Sequence, residues 1–134
     1  YPIAGMVREY FPPDYEVDEP LIPHGLAVIV GAPAALRWTA AAWPERHAEV
    51  AAMLGIDTHG MPLREAAEAV ADGLLQLMRD LGLPSGLEAL GFSERDIPAL
   101  VEGTLAQQRI LVNSPRPVDE RALRAIFQQA MRYW

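Results

Sequence analysis

The sequence predicts an all-α fold: a single helical domain over residues 1–134, an array of about six helices. Three observations carry that prediction. Apolar residues recur at helical spacing along most of the chain, as in Leu63, Ala66, Ala67, Val70, Leu74, Leu77, Met78 and Leu81. Prolines, glycines and acids fall where helices start and stop. Only one segment suits a strand, and a lone strand cannot satisfy its own backbone groups.

That segment is Leu26 to Ala32, where Val28, Ile29 and Val30 are β-branched. With no second strand to pair, it is assigned as a buried helix bent near Pro33. Before it, Phe11 to Pro23 holds four prolines and four acids, so an irregular loop is expected. A short helix follows from Pro44 to Leu54, closed by Gly55. The longest periodic run spans Leu63 to Leu81, with Pro62 suiting its first turn and Gly82 its left-handed end. Ser93 or Asp96 caps the next helix, which buries Ile97, Leu100, Val101 and Leu105 and tolerates Pro98 in its opening turn. Asp119 caps the last, burying Leu123, Ile126, Phe127, Ala130 and Met131. Tyr133 and Trp134 are expected to pack at the edge of the core. A chain of this length supports one sizeable core, not two.

Composition excludes several chemistries. The formal charge is −7, so binding nucleic acid through a basic surface is not expected. With no cysteine there is no disulfide, thiolate zinc site or cysteine nucleophile. All eleven cations are arginine, which removes Schiff-base chemistry and the lysine P-loop. The longest apolar run, Leu21 to Leu36, is broken by Pro23, His24, Gly25, Gly31 and Pro33 and falls short of a membrane span. The opening residues lack a basic leader, and the first is not methionine, so Tyr1 is expected to be a cut or processed end. An alanine-rich, lysine-free composition points to a GC-rich bacterial genome and a cytoplasmic protein.

Three histidines, His24, His47 and His59, are the candidates for chemistry. None lies four residues from another, so no helix offers a two-histidine metal face. His47 shares a helical face with Val50, Ala51 and Leu54 and suits packing; His59 lies in a polar turn. His24 stands between Pro23 and Gly25 at the opening of an apolar helix, beside a residue that admits close approach. It is either a hydrogen-bonded helix-start residue or a ligand, and one imidazole is not a metal site by itself. Asp14, Glu16, Asp18 and Glu19 lack the glycine and distal glutamate of a calcium loop. Ser93 and Ser114 have no base beside them, and Glu65, Glu68 and Asp72 follow a solvated face.

Several stretches together resemble the C-terminal region of iron-containing alcohol dehydrogenases, a dehydroquinate synthase-like helical domain. They are Pro23-His24-Gly25-Leu26-Ala27, Pro44-Glu45-Arg46, Gly91 to Leu100, and Asn113-Ser114-Pro115-Arg116-Pro117. Tyr1-Pro2-Ile3, the spaced acids of Asp14 to Asp18, Trp43 to His47 and Val101 to Leu105 are similar to the hydroxyacid-oxoacid transhydrogenase branch.

The resemblance implies a two-domain oxidoreductase. An N-terminal α/β domain would bind NAD(H), and Fe(II) or another divalent metal would sit in the cleft, held by an aspartate and three histidines. The last of those histidines falls on His24. The other ligands and the glycine-rich dinucleotide loop would lie upstream of Tyr1, so the chain is expected to be a fragment that lacks its N-terminal domain and is inactive alone. In many family members a second histidine stands where this sequence has Tyr1. The implied partners are the chain's own N-terminal domain and a small hydroxy-acid, oxo-acid or alcohol substrate. No catalytic residue follows from the motifs. Arg8 and Arg37, nearest His24 in sequence, are the first arginines to consider for a substrate carboxylate. A plain NAD-dependent alcohol dehydrogenase and a stand-alone helical interaction module are the alternatives. Because Leu26 to Leu36 is apolar nearly all round, an exposed apolar face is expected, which leaves homo-oligomerisation open.

Overall fold

Five of the α-helices begin at or beside a proline, and those prolines set the path of the chain. Proline suits a helix start because its missing N–H would be unpaired there anyway. The structure, a computed structural model, describes residues 1–13 and 15–134; Asp14 of the acidic loop lies outside the described residues. The helices are α1 (Pro2–Gly5), α2 (His24–Ala40), α3 (Pro44–Met53), α4 (Leu63–Asp80), α5 (Ile97–Leu105), α6 (Gln108–Leu111) and α7 (Glu120–Ala130). Two 3₁₀ turns, Glu88–Leu90 and Glu94–Asp96, lie between α4 and α5. Among the described residues every regular element is helical, as the lack of a strand partner predicts. None of these helices is long and apolar enough to cross a membrane.

The main core lies where α2, α5 and α7 meet. Val30 and Ala34 of α2 pack with Ile97, Leu100 and Val101 of α5 and Leu123 and Phe127 of α7. Leu87, Leu90 and Phe92 close it from the segment after α4, and Ile3 of α1 and Ile22 close it from the N-terminal side. A Cβ on Gly103 of α5 would lie 3.0 Å from the Pro2 side chain, so the missing side chain lets α1 seat against α5.

The other part is the α3–α4 hairpin, which lies against α2. Most of its buried residues are small, Ala51 of α3 and Ala66, Ala67, Ala71 and Gly73 of α4, and Val70, Leu75 and Met78 are the larger ones. A Cβ on Gly73 would lie 3.1 Å from Ile56 Cγ1. Here the structure corrects the expected stripe of α4. Leu63, Leu77 and Leu81 are exposed, whereas Ala71 and Leu75 are buried. Because α4 packs on both α2 and α3, its buried arc centres on the alanines and the larger leucines fall to the rim.

Local capping follows the sequence closely. The Asp119 carboxylate accepts from Ala122 N at 2.7 Å at the start of α7. Gly55 and Gly82 adopt the left-handed conformation just past α3 and α4. Pro62 stands just outside α4 with extended backbone, not in its first turn. Ser93 and Asp96 both act, forming a reciprocal capping box around the turn that leads into α5.

Helix α2 runs through Pro33, which cannot donate a backbone hydrogen bond. The Tyr133 hydroxyl is placed there, donating to Val30 O at 2.9 Å and accepting from Ala34 N at 3.4 Å. A side chain inserted into the ladder is one of the few physical ways to accommodate such a turn. Burial pushes the Tyr133 phenol up to about 12. The tail carrying Tyr133 is held in turn by the segment after α4. Leu87 N and Glu88 N donate to the carbonyls of Ala130 and Met131, and Tyr133 N donates to Ser85 O. Gly86 permits that approach, since a Cβ there would lie 2.4 Å from Met131 O.

Candidate functional site

His24 is the first residue of α2, set by Pro23, whose extended backbone turns the chain into the helix. Its side chain is exposed, and neither ring nitrogen has a hydrogen-bond partner among the described residues. Gly25 beside it is also exposed, and a Cβ there would meet nothing within 4 Å. The imidazole therefore faces outward at an uncrowded helix end.

Two residues from distant parts of the chain share this place. The Tyr1 ring lies 5.5 Å from the His24 ring, centroid to centroid, tilted by 53°. The Arg109 guanidinium carbon sits 5.8 Å above the same tyrosine ring, within cation–π range. Helix α5 brings them together: α1 seats on Gly103 and carries Tyr1, and α6 follows α5 directly and carries Arg109. Arg109 was not among the sequence candidates. Its one sequence signal is that no acid stands three or four residues away to claim it.

The remaining candidates lie elsewhere. The His47 ring is spent on structure: Nδ1 donates to Trp43 O, and Nε2 meets the Thr39 hydroxyl, both at 2.9 Å. His59 is exposed, and only its backbone N–H is engaged, donating to Asp57 at 3.0 Å. Arg8 pairs with Asp96 and Arg37 with Asp72, each at 2.7 Å, so both arginines nearest His24 in sequence are committed. Ser93 is part of the α5 cap. Glu16, Asp18 and Glu19 are exposed.

Asp96 is the buried carboxylate of the described residues. The Ser93 backbone N–H, donating at 2.8 Å, holds its carboxyl below the usual carboxylate range against the opposing cost of burial, with help from Arg8 and the Ser93 hydroxyl. This is a structural joint between the N-terminal segment and α5. No group of three or more histidine, cysteine, aspartate or glutamate side chains among the described residues is arranged to hold a metal. What His24 offers is a single free imidazole donor, which fits one corner of a ligand set and not a whole one.

Apolar surface is exposed around this end and along the hairpin. Val28 on α2 is 55% exposed, Trp43 57% and Met53 80%. An open groove of about 730 Å³ runs beside the start of α2, lined by Tyr10, Tyr15, Pro23, Gly25, Leu26 and Ile29.

Residues 20–131 match the model of the Fe-containing alcohol dehydrogenase family, C-terminal region. The chain is 46% identical over all 134 residues to the mitochondrial hydroxyacid-oxoacid transhydrogenase of Pongo abelii, and 45% identical to that of Homo sapiens. It spans 29% of the length of each. Among solved structures it is similar to a 1,3-propanediol oxidoreductase, with TM-score 0.76 and 34% identity over 82% of this chain and 28% of that one. An alcohol dehydrogenase from Oenococcus oeni gives TM-score 0.75 and 31% identity over 81% of this chain and 28% of that one. The relatives' mitochondrial designation overturns the expectation of a bacterial cytoplasmic protein. That expectation rested on alanine and arginine usage, which tracks genome composition and carries no physical information about compartment.

Proposed function

The chain belongs to the Fe-containing alcohol dehydrogenase family, and from that premise we propose that it is the metal-binding helical part of a hydroxyacid-oxoacid transhydrogenase. Identity of 45–46% along the whole chain to relatives of that name is the observation that carries this reading. In this reading the full-length protein would couple oxidation of a hydroxy acid to reduction of an oxo acid.

His24 supplies one metal ligand. Its free ring nitrogens, its exposure and the open space at Gly25 suit a ligand whose partners come from elsewhere. An aspartate and two further histidines would come from outside these 134 residues, as would the glycine-rich loop for NAD(H). When bound, the divalent metal supplies Lewis acidity at the substrate oxygen, and the nicotinamide supplies a hydride acceptor and donor. The chain's own share is positional. Pro23 and the start of α2 fix the imidazole, and α1 holds the Tyr1 ring beside it. The exposed apolar side chains of this end, Val28 and Tyr1, are suited to be covered by the dinucleotide-binding domain, which would exclude water from the cleft.

The test is His24→Ala in the full-length protein. Metal content and hydride transfer should fall together, while His47→Ala and His59→Ala keep their metal. Full metal occupancy with normal turnover in His24→Ala would refute the assignment. The purified 134-residue chain, given nicotinamide, ferrous iron and hydroxy acids, should show no turnover.

The solved neighbours at 31–34% identity favour a second reading, a dehydrogenase that releases its reduced cofactor. Assay with a hydroxy acid and an oxo acid but no added nicotinamide separates the two. Sustained exchange supports a transhydrogenase, and turnover only with added nicotinamide supports a dehydrogenase.

A further inference from the structure

Of the eleven arginines, five are paired with carboxylates at 2.7–3.0 Å among the described residues, Arg8 and Arg37 included. Others are taken up locally: Arg116 stacks on Trp38 and donates to its carbonyl at 2.6 Å, Arg79 lies over Trp134, and Arg132 donates to Trp134 O. Arg109 differs. It is exposed, makes no hydrogen bond or ion pair with its guanidinium among the described residues, and lies over the ring that touches His24.

An arginine in that state has a held position and unspent donors. The cation–π contact with Tyr1 attracts the guanidinium to the ring without engaging any of its N–H groups in a hydrogen bond. Planar N–H pairs match a carboxylate bidentately. In a protein with a net charge of −7, an unpaired cation beside the candidate metal ligand favours anions at that end.

We propose that Arg109 is the specificity residue that anchors the substrate carboxylate, with Tyr1 as the platform separating it from His24. This rests on the transhydrogenase reading, in which both substrates carry a carboxylate while their carbinol or carbonyl oxygen lies at the His24 side. In this arrangement Tyr1 acts by positioning Arg109.

The experiment uses the full-length, metal-loaded enzyme and a panel of short hydroxy acids. Each acid is paired with the alcohol in which a hydroxymethyl group replaces the carboxylate. Arg109→Gln should lower kcat/KM for the hydroxy acids about tenfold to a hundredfold, chiefly through KM, since charge-assisted hydrogen bonds are lost. The paired alcohols should change far less, metal content should hold, and Arg109→Lys should recover part of the loss. Calorimetric titration of the metal-free enzyme with the same acids should weaken in parallel, a readout independent of turnover. Equal losses on both members of each pair, no loss on the acids, or unchanged calorimetric affinity overturns the role of Arg109 and leaves the transhydrogenase reading standing. A wild-type enzyme that turns over the alcohols and none of the acids overturns both.

Discussion

The body of the protein and its α3–α4 hairpin are both helix packed on helix, yet they are held together differently. In the body, Leu100, Phe127, Ile97 and Leu90 fill the space between α2, α5 and α7. In the hairpin, Ala51, Ala66, Ala67 and Ala71 leave little to fill, and the helices close on one another instead. Large side chains bury more apolar area each, roughly 25 cal/mol per Å². Small ones gain by close backbone approach and lose little rotamer entropy. The two regions should therefore fail in opposite ways, one when a side chain is removed and the other when one is enlarged.

The largest effect should come from emptying the body. Leu100 has no exposed surface, and Leu100→Ala should cost about 2–5 kcal/mol, the usual range for a buried leucine that leaves a cavity. Urea unfolding measures it. A cost below about 1 kcal/mol would mean that the body collapses around the gap and the contrast with the hairpin is false.

Enlarging the hairpin comes next. Ala67 is 1% exposed, and Ala67→Leu should destabilise by about 1–3 kcal/mol through overpacking. The same leucine would be tolerated only if α4 moved off α2 or α3, which a lowered denaturant m-value would reveal. Stabilisation by Ala67→Leu would break the comparison, since it would show unfilled space between the helices.

Polar ties sharpen the difference, because Asp96 in the body is buried while the Arg64–Glu68 pair of the hairpin is exposed. Asp96→Asn weakens the Arg8 pair and the two bonds from Ser93, and should cost about 1–2 kcal/mol. Since folding lowers the Asp96 pKa, its contribution is present above the unfolded-state pKa. It disappears as pH falls through the lower, folded-state value. Acid titration of wild type and Asp96→Asn should converge at the low end of the curve. In the hairpin, Arg64→Ala breaks a pair in which the arginine is 91% exposed, and should change stability by less than about 0.5 kcal/mol.

Tyr133 gives a smaller, separately measurable effect. Tyr133→Phe removes the hydroxyl from the Pro33 turn and should cost about 0.5–1.5 kcal/mol. Its folded pKa is raised, so its contribution is intact below the ordinary phenol range and is lost as pH climbs toward about 12. Burial also pushes the Tyr10 phenol up, by less than at Tyr133, so ultraviolet titration of the four tyrosines should end in a latest step that Tyr133→Phe removes.

The family resemblance and much of the fold are legible in the sequence. Pro44 and Gly55 bracket α3, Gly82 closes α4, and Asp119 caps α7 because each acts on backbone groups within about a turn of itself. His24 at a proline-marked helix start was legible for the same reason. The buried face of α4 was not, because periodicity marks a stripe while its centre depends on which two helices arrive to cover it. Nor was the choice among arginines. Arg8 and Arg37 are near His24 along the chain, but tertiary folding sends one to Asp96, 88 residues away, and the other to Asp72.

Local hydrogen bonding and side-chain period are written residue by residue, so helix starts, helix ends and the all-helical class follow from the amino acids alone. The meeting of Tyr1, His24 and Arg109, and the hydroxyl of Tyr133 set 103 residues away at Val30, depend on how α5 and the Gly86 segment steer the chain. Those contacts join groups that share no local pattern. Only the packing of the whole domain, which trades chain entropy for buried area across the core, decides which distant side chains become neighbours.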